Sequence, residues 1–295
     1  MEHYDLLVIG GGAAGMAAAI TAAENGLEKI LIAEREEYLG GILPQCIHNG
    51  VGLGYFKEDL TGPQYAERFV KKINDSSVEI WTRAAVLSVS MDKTAVISSV
   101  EKGLCRVSFN ELVLATGCRE TPIGALPVYG TRPAGIFTAG QAQRMVNLQH
   151  LIPGQNIVIL GSGDIGLIMA RRFTLIGCKV LAVIEQRDTC GGMLRNQLAL
   201  EGSVYRLLCN TTIRQVHGLG NLEGCTLSDG TYLPCKTLLI AAGLRPEREL
   251  IAGLENADWI TLCGNCNAVH PMVEGVVKEG KKAGVLACEK IRGSL

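Results

Sequence analysis

Aromatic residues are scarce in this sequence, and neither sign of charge is in excess. Phe, Trp and Tyr make up 5% of the 295 residues, and 28 basic against 29 acidic side chains give a formal net charge of −1. A nucleic-acid-binding protein concentrates basic residues to neutralise phosphates, and no basic block occurs here. We therefore expect no nucleic-acid partner.

Long apolar segments are also missing. No run approaches the roughly 20 apolar residues that a membrane-spanning helix needs. The N-terminus has Glu2, Asp5 and a glycine cluster in place of the basic region and plain apolar stretch of a signal peptide. We therefore expect a cytoplasmic protein without a membrane span. In that compartment the 11 cysteines are expected to be free thiols rather than a disulfide framework.

Glycine, in contrast, is abundant, and its spacing reveals an internal repeat. The chain has 36 glycines, and many are paired or two residues apart between apolar runs. Five glycines and one glutamate recur in one frame, 151 positions later in the chain. These positions are Gly10, Gly12, Gly15, Gly26, Glu34 and Gly41 in the first copy, and Gly161, Gly163, Gly166, Gly177, Glu185 and Gly192 in the second. The chain therefore contains two copies of one strand–helix–strand unit.

Each copy has the features of a dinucleotide-binding site. An apolar run predicts a buried parallel strand, and the Gly-x-Gly-x-x-Gly fingerprint directly after it predicts a tight turn into a helix. The first glycine makes the turn, the second lets the backbone approach a pyrophosphate, and the third lets the helix pack on the strand. The helix N-terminus offers free N–H groups to the phosphates, and the acidic residue that ends the next strand binds ribose hydroxyls.

Further strands complete each half of the chain. The apolar runs 112–115 and 238–241 each end near a glycine and predict the returning strand of each copy. Residues 78–109 are rich in Val, Ile, Thr and Ser with irregular alternation, which predicts a small antiparallel insert. The pattern as a whole predicts an α/β fold with two nucleotide-binding halves.

Together these motifs resemble the pyridine nucleotide–disulfide oxidoreductase superfamily. The resemblance rests on the two fingerprints, on Ala-Thr-Gly at 115–117 and on Leu-Cys-Gly-Asn at 262–265. The short chain and the Leu-Thr-Gly-Pro at 60–63 are similar to thioredoxin reductase. Within the α/β class, the resemblance implies two Rossmann-like dinucleotide-binding domains in the thioredoxin-reductase-like arrangement.

The resemblance also implies how the domains divide the chain. Residues 1–122 and 246–295 would form a discontinuous FAD-binding domain that carries the small antiparallel β insert. Residues 123–245 would form an NAD(P)-binding domain inserted into it.

Both dithiols that are typical of the superfamily are missing. Segment 135–141, where thioredoxin reductases have a Cys-x-x-Cys, has no cysteine, and segment 40–50 has only Cys46. Segment 41–50 and the second fingerprint are instead similar to short FAD/NAD(P) oxidoreductases. These accompany anaerobic glycerol-3-phosphate dehydrogenases and multi-subunit amine or opine oxidases.

The resemblance assigns FAD to the first copy. Glu34 would accept hydrogen bonds from the adenosine ribose, and Asn265 stands where relatives usually have an aspartate near the ribityl chain. A helix beginning near 267–271 would point its N-terminus at the C2 carbonyl of the flavin. The FAD-binding residues that the resemblance implies are Gly10, Gly12, Ala14, Gly15, Glu34, Arg35, Gly41, Asn49, Val86, Thr116, Gly117, Gly264 and Asn265.

The second copy would bind the nicotinamide dinucleotide. The Glu185 carboxylate would bind a free 2′-hydroxyl and repel a 2′-phosphate, which favours NADH over NADPH. Arg187, two residues on, is a candidate partner for that phosphate. The residues that the resemblance implies for this site are Gly161, Gly163, Asp164, Ile165, Gly166, Glu185 and Gly243.

The sequence leaves the electron acceptor open. Candidate catalytic residues are Cys46 and His270, each with a plain alternative as a buried thiol or a histidine near a helix cap. Cys263 and Cys266 form a Cys-x-x-Cys at a predicted helix start, a position that lowers thiol pKa. No further Cys or His pair stands at metal-ligand spacing, so we expect no metal site.

Three functions remain open at this point. The first is an FAD-dependent NAD(P)H oxidoreductase that transfers hydride between NAD(H) and the flavin and exchanges electrons with a small acceptor or a partner protein. The second is the electron-transfer subunit of a larger dehydrogenase complex without its own substrate site. The third is a disulfide reductase that uses Cys46 or the Cys263/Cys266 pair. A partner dehydrogenase or electron-transfer protein is expected, and a homo- or a hetero-oligomer is compatible with the sequence.

Overall fold

The computed structural model describes residues 1–198 and 206–293. The chain divides into two compact units: the first unit contains residues 1–119 and 245–295, and the second unit contains residues 120–244. Each unit has its own sheet and its own apolar core.

The described residues form 18 strands and six α-helices. The strands are β1 (Glu2–Ile9), β2 (Ile30–Ala33), β3 (Glu79–Trp81), β4 (Ala84–Ser90), β5 (Thr94–Ser99), β6 (Gly103–Leu114), β7 (Cys118–Glu120), β8 (Tyr129–Gly130), β9 (Ile136–Thr138), β10 (Asn156–Leu160), β11 (Lys179–Ile184), β12 (Arg206–Leu208), β13 (Ile213–His217), β14 (Gly224–Leu227), β15 (Tyr232–Pro234), β16 (Thr237–Ile240), β17 (Leu244–Pro246) and β18 (Ile260–Leu262). The helices are α1 (Ala13–Glu24), α2 (Gly62–Asn74), α3 (Ala139–Asn147), α4 (Asp164–Leu175), α5 (Leu194–Leu198) and α6 (Val273–Gly293).

The first unit is built on a sheet with strand order β3-β2-β1-β6-β5-β4, in which β18 also pairs with β6. The strands β3, β2, β1, β6 and β18 run parallel, and Leu7 of β1 lies between Leu31 and Leu112. In contrast, β4 is antiparallel to β5, and β5 is antiparallel to the long β6. The antiparallel insert that the sequence predicted is therefore confirmed.

The second unit contains a parallel sheet with strand order β12-β11-β10-β16-β9. A smaller sheet has the order β15-β14-β13-β8, with β13, β14 and β15 antiparallel. The sequence did not predict this smaller sheet. Its antiparallel strands are three to five residues long, which is too short for a clear alternating pattern.

The sequence repeat is a repeat of structure. The elements β1, α1, β2 and β6 correspond to β10, α4, β11 and β16, in the same order across the two sheets. The first fingerprint glycine has positive φ in both copies, 102° at Gly10 and 108° at Gly161. A Cβ there would lie 2.5 Å from the carbonyl oxygen of Ala115 in the first copy and 2.3 Å from that of Ala241 in the second. Only glycine lets the turn pack this closely against the returning strand.

Glycines also bring α6 onto α1. Helix α1 is rich in alanine and almost wholly buried. A Cβ on Gly280 would lie 2.2 Å from the backbone oxygen of Ala14, and one on Gly284 would lie 2.4 Å from that of Ala18. The two helix backbones therefore touch, and the C-terminal helix is fixed beside the helix that follows the first fingerprint.

We predict that Gly280→Ala lowers the free energy of unfolding by about 1–3 kcal/mol, because the backbone of α1 cannot yield to the added methyl group. The higher helix propensity of alanine, up to about 1 kcal/mol, opposes this loss without cancelling it. Gly293→Ala is the matched control in the same helix, since a Cβ there meets nothing within 4 Å. Urea unfolding followed by far-UV circular dichroism measures both variants, and equal stability of the two would contradict the packing argument.

Candidate functional site

Each fingerprint helix is preceded by a glycine with free space where a side chain would lie. Gly12 and Gly163 precede α1 and α4, have φ of −75° and −65°, and provide no side-chain cap. A Cβ on Gly163 would meet nothing within 4 Å, and one on Gly12 would meet only the Cα of Gly41, at 3.8 Å. Neither the backbone conformation nor the packing requires glycine at these positions. We therefore attribute the glycines to the space that they leave for a ligand beside the free N–H groups of the helix. This cradle fits a pyrophosphate group in each unit.

The Glu34 carboxylate lies beside the first cradle, directly after β2. It is buried, its Oε2 accepts the N–H of Gly11 at 2.6 Å, and its Oε1 accepts the N–H of Glu36 at 2.8 Å. An ionised carboxylate has about four acceptor positions, so these donors within the described residues leave about two for a ribose diol. The neighbouring Arg35 side chain instead reaches Glu247, at 3.6 Å.

Thr116 and Gly117 follow β6 on the same edge of the sheet. The Thr116 hydroxyl donates to the carbonyl of Glu247 at 2.6 Å, and the Gly117 carbonyl accepts the N–H of Glu247 at 3.0 Å. Gly117 has a φ of 76°, and a Cβ there would meet nothing within 4 Å. Thr116 therefore holds the chain segment around residue 247, while Gly117 leaves open space on the other side.

The turn between β18 and α6 is held by Glu279. Its Oε2 accepts the N–H of Gly264 at 2.9 Å, and its Oε1 lies 3.0 Å from Nε2 of His270. The side-chain oxygen of Asn265 accepts the N–H of His270 at 3.0 Å. Gly264 and His270 thus lie against one carboxylate, and Asn265 is joined to His270 by a hydrogen bond. A donor role for His270 toward a ligand stays a prediction.

The predicted start of the last helix is wrong by a few residues. We expected the helix to begin near 267–271, but α6 begins at Val273. Pro271 accounts for part of this shift, since proline disfavours helical backbone in the residue before it and so keeps His270 out of the helix.

The remaining predicted FAD residues lie at different places in the first unit. Gly41 faces Gly12 across the cradle, since a Cβ on Gly41 would lie 3.0 Å from the Cα of Gly12. The Asn49 amide lies 3.5 Å from the Asp59 carboxylate. The Val86 side chain packs into the apolar cluster on the face of the sheet opposite to α1. Gly12 and Gly41 therefore line the first cradle, and the structure does not bring the Val86 side chain to it.

The candidate thiols Cys263 and Cys266 are buried and Cys46 is half-buried, and all three have a raised pKa that keeps them protonated at neutral pH. All 11 cysteines are free thiols. The Cys46 thiol donates to the carbonyl of Ile42 at 3.4 Å, and burial raises the pKa of Cys46 to about 11. Burial also raises the pKa of Cys263 and of Cys266. The prediction of a lowered thiol pKa at this helix start is wrong, because the removal of the thiols from water raises their pKa more than the nearby helix end lowers it. The two thiols pack into apolar clusters on opposite faces of the sheet.

In the second unit, Glu185 follows β11 as Glu34 follows β2, but its carboxylate has more donors. Its Oε2 accepts the N–H and the hydroxyl of Ser162, and its Oε1 accepts the N–H and Nε–H of Arg187. Burial alone would raise the pKa of this carboxyl. The hydrogen bonds from Arg187 and Ser162 outweigh burial and lower the pKa of Glu185 to about 2. The group is therefore an anion at neutral pH.

The other predicted residues of the second copy surround the start of α4. The Asp164 carboxylate accepts the N–H of Met193 at 2.8 Å and the amide of Asn196 at 2.6 Å, which fixes the segment after β11. Ile165 packs against the apolar core of the unit. Gly243 follows β16 with a φ of 101°, as Gly117 follows β6. The second copy therefore holds these residues in the arrangement of the first.

Sequence reasoning missed two residues that shape these sites. Ser162 is a variable position of the second fingerprint, and comparison with Gly11 in the first copy could have revealed it. Glu279 lies 15 residues after Gly264 in the chain. No motif marks it, because its role depends on how α6 packs.

Metal-binding clusters and membrane-spanning helices are absent from the described part of the chain. Across residues 1–198 and 206–293, no group of three or more His, Cys, Asp or Glu side chains could hold a metal ion. Over the same ranges, no helix combines the length and the apolar character that a bilayer crossing requires.

We predict that Cys46, Cys263 and Cys266 react with iodoacetamide at pH 8 about 100-fold or more slowly than an ordinary thiol, because burial keeps them protonated. The same three cysteines in the urea-unfolded protein serve as the reference. Peptide mass spectrometry of the native protein measures each site, and all cysteines should react once the protein is unfolded in urea. Rapid labelling of Cys46 in the native protein would contradict the assignment of a protonated thiol.

Known proteins resemble this chain over most of its length. The chain matches the family described as pyridine nucleotide-disulphide oxidoreductase over residues 4–263. It is 33% identical over 210 residues to one of the subunits of opine oxidase from Agrobacterium tumefaciens (strain Ach5), which covers 66% of this chain and 40% of that protein. It is 29% identical over 184 residues to the HcnB component of hydrogen cyanide synthase from Pseudomonas protegens, which covers 61% of this chain and 38% of that protein. The matched segments therefore span less than half of these relatives.

A solved structure supports the fold directly. Thioredoxin reductase of T. acidophilum superposes with a TM-score of 0.80 at 17% identity, covering 98% of this chain and 99% of that chain. This likeness confirms the predicted fold class, an α/β fold with two Rossmann-like domains. The family uses FAD together with a pyridine nucleotide. Because the family match spans residues 4–263, the chain belongs to the pyridine nucleotide-disulphide oxidoreductase family of FAD-dependent oxidoreductases.

Proposed function

We propose that the first unit binds FAD, that the second unit binds NADH in preference to NADPH, and that the protein transfers hydride between the two. The observation that carries the proposal is the duplicated cradle, an open glycine before a helix with a buried carboxylate after the next strand. The family supplies the two ligand classes, FAD and a pyridine nucleotide. The anionic Glu185 favours NADH, because it attracts a ribose hydroxyl and repels a 2′-phosphate.

The residues of the first unit would hold FAD at three points. The N-terminus of α1, with Gly12 and Gly41, would bind the pyrophosphate through backbone N–H groups. Glu34 would accept the hydroxyls of the adenosine ribose. The turn at 264–265, which Glu279 holds in place, would contact the flavin-bearing half of the dinucleotide. FAD would supply the hydride and electron transfer when bound, and the residues of this chain would supply position rather than a proton.

For the acceptor, we propose a partner protein. The two relatives are subunits of an opine oxidase and of a hydrogen cyanide synthase, and the raised pKa values of the candidate thiols keep them protonated at neutral pH. Both observations favour electron transfer to a partner over disulfide reduction. The likeness to partner flavoproteins of glycerol-3-phosphate dehydrogenases and a cytoplasmic location stay predictions.

Purification of the chain from its own cells tests the partner. Recovery of a dehydrogenase or electron-transfer protein in equal amount supports the proposal. Recovery of the chain alone, with NADH-dependent reduction of a disulfide substrate, contradicts it.

We predict that Gly12→Ala and Gly163→Ala each weaken a different nucleotide site. Neither methyl group meets a protein atom closer than 3.8 Å, so both variants should fold normally while the methyl occupies the space for a pyrophosphate. Gly12→Ala should raise the Kd for FAD by about tenfold or more, and Gly163→Ala should do the same for NADH with FAD unaffected. Fluorescence titration of the apoprotein with FAD, and of the FAD-loaded protein with NADH, measures the two constants. Wild-type FAD affinity in Gly12→Ala would show that the first cradle is not the FAD site.

We predict that NADH reduces the bound flavin faster than NADPH does, and that Glu185→Ala lowers the ratio of these two rates by about tenfold or more. One charged hydrogen bond contributes about 1.5–3 kcal/mol, which is roughly 10–150-fold in affinity. Stopped-flow reduction with each nucleotide measures the rates. Glu223→Ala removes an exposed carboxylate from the same unit and should leave the ratio unchanged. A preference for NADPH in the unmutated protein would show that Glu185 does not set the specificity.

A further inference from the structure

The Glu185 carboxylate is occupied by donors of its own chain. An ionised carboxylate accepts about four hydrogen bonds. Oε1 accepts the N–H and Nε–H of Arg187, both at 3.0 Å, and Oε2 accepts the N–H and hydroxyl of Ser162, at 3.1 and 2.5 Å. The Nη2 of Arg187 lies a further 3.4 Å from Oε2. In this arrangement a ribose hydroxyl has no acceptor position to use.

The first copy has the same carboxylate without this crowding. Glu34 accepts one N–H on each oxygen, from Gly11 and from Glu36. At the repeat distance of 151 positions, Gly11 corresponds to Ser162 and Glu36 corresponds to Arg187. The backbone donors are therefore common to both copies, and the two extra donors in the second copy are side chains.

Of these two side chains, that of Arg187 is the one that can move away from Glu185. Its side chain is 63% exposed, whereas that of Glu185 is 8% exposed. The Arg187 guanidinium lies over Gly191, where a Cβ would come within 1.8 Å of Nη2. Ser162 is fully buried, and its hydroxyl also accepts the N–H of Gly191 at 2.8 Å. The arginine can thus swing into solvent while the serine stays fixed in the turn.

We propose that Arg187 competes with the dinucleotide for Glu185 and thereby sets the ribose specificity of the second unit. NAD(H) has to displace the guanidinium before its 2′-hydroxyl can donate to Glu185. With NADP(H), the displaced guanidinium pairs with the 2′-phosphate and offsets the repulsion from the carboxylate. Arg187 therefore weakens the preference for NADH that Glu185 alone would give. This inference rests on the proposed function of the second unit as a dinucleotide site.

Arg187→Ala should move the affinities for the two nucleotides in opposite directions. Without the competitor, the Kd for NAD⁺ should fall about three- to tenfold, and without the cation the Kd for NADP⁺ should rise by a similar factor. General damage to the site would instead weaken both. Isothermal titration calorimetry of the FAD-loaded protein with NAD⁺ and with NADP⁺ measures both constants without any turnover.

Arg214→Ala is the matched control. It removes an exposed arginine from β13 in the same unit, so it changes the net charge equally and should leave both Kd values unchanged. Equal or weaker NAD⁺ binding in Arg187→Ala would overturn the inference. If the unmutated protein binds neither nucleotide, the proposed function of the second unit fails as well. If it binds them and Arg187→Ala responds as expected while the flavin is not reduced, only the proposed hydride transfer fails.

Discussion

The carbonyl groups of Ala115 and Ala241 approach the first fingerprint glycine of their units so closely that no side chain would fit between them. This contact joins three pieces of chain at one point: the end of the first strand, the end of the returning strand and the start of a helix. Because the carboxyl ends of parallel strands meet on one edge of a sheet, the same point collects free helix N–H groups, an open glycine and a carboxylate. The nucleotide sites of both units depend on this backbone contact.

The two copies of this unit differ in their details. The first copy is supported by the C-terminal helix, whose glycines pack on α1 and whose Glu279 holds the turn after β18. The second copy has the side-chain donors Ser162 and Arg187, whereas the donors to the first carboxylate among the described residues are the backbone N–H groups of Gly11 and Glu36. Two sites with one geometry therefore differ in how freely their carboxylates can accept a ribose.

The sequence predicted the features that depend on local pattern. The repeat of glycines predicted both strand–helix turns, and the irregular alternation at 78–109 predicted the antiparallel insert, because each requires a particular residue type at a particular spacing. What it did not predict depends on packing between distant segments. The raised pKa of Cys266 follows from burial against the end of β6, where its thiol donates to the carbonyl of Leu114, and the role of Glu279 follows from where α6 lies.

The pairing of Arg187 with Glu185 also depends on packing rather than on local sequence pattern. The sequence places a cation two residues from the carboxylate, but whether the side chains meet depends on the space that Gly191 leaves open. The sequence also carried the signal that keeps His270 out of α6, since Pro271 disfavours helical backbone in the residue before it.

Anaerobic titration of the FAD-loaded protein with NADH tests the central claim most directly, because it needs both nucleotide sites and no external acceptor. The account predicts that about one equivalent of NADH per chain bleaches the absorbance of the oxidised flavin. Gly163→Ala should require a much higher concentration for the same effect. A protein that holds FAD and remains fully oxidised in excess NADH and in excess NADPH would contradict the account, because the two cradles would then not serve a common reaction.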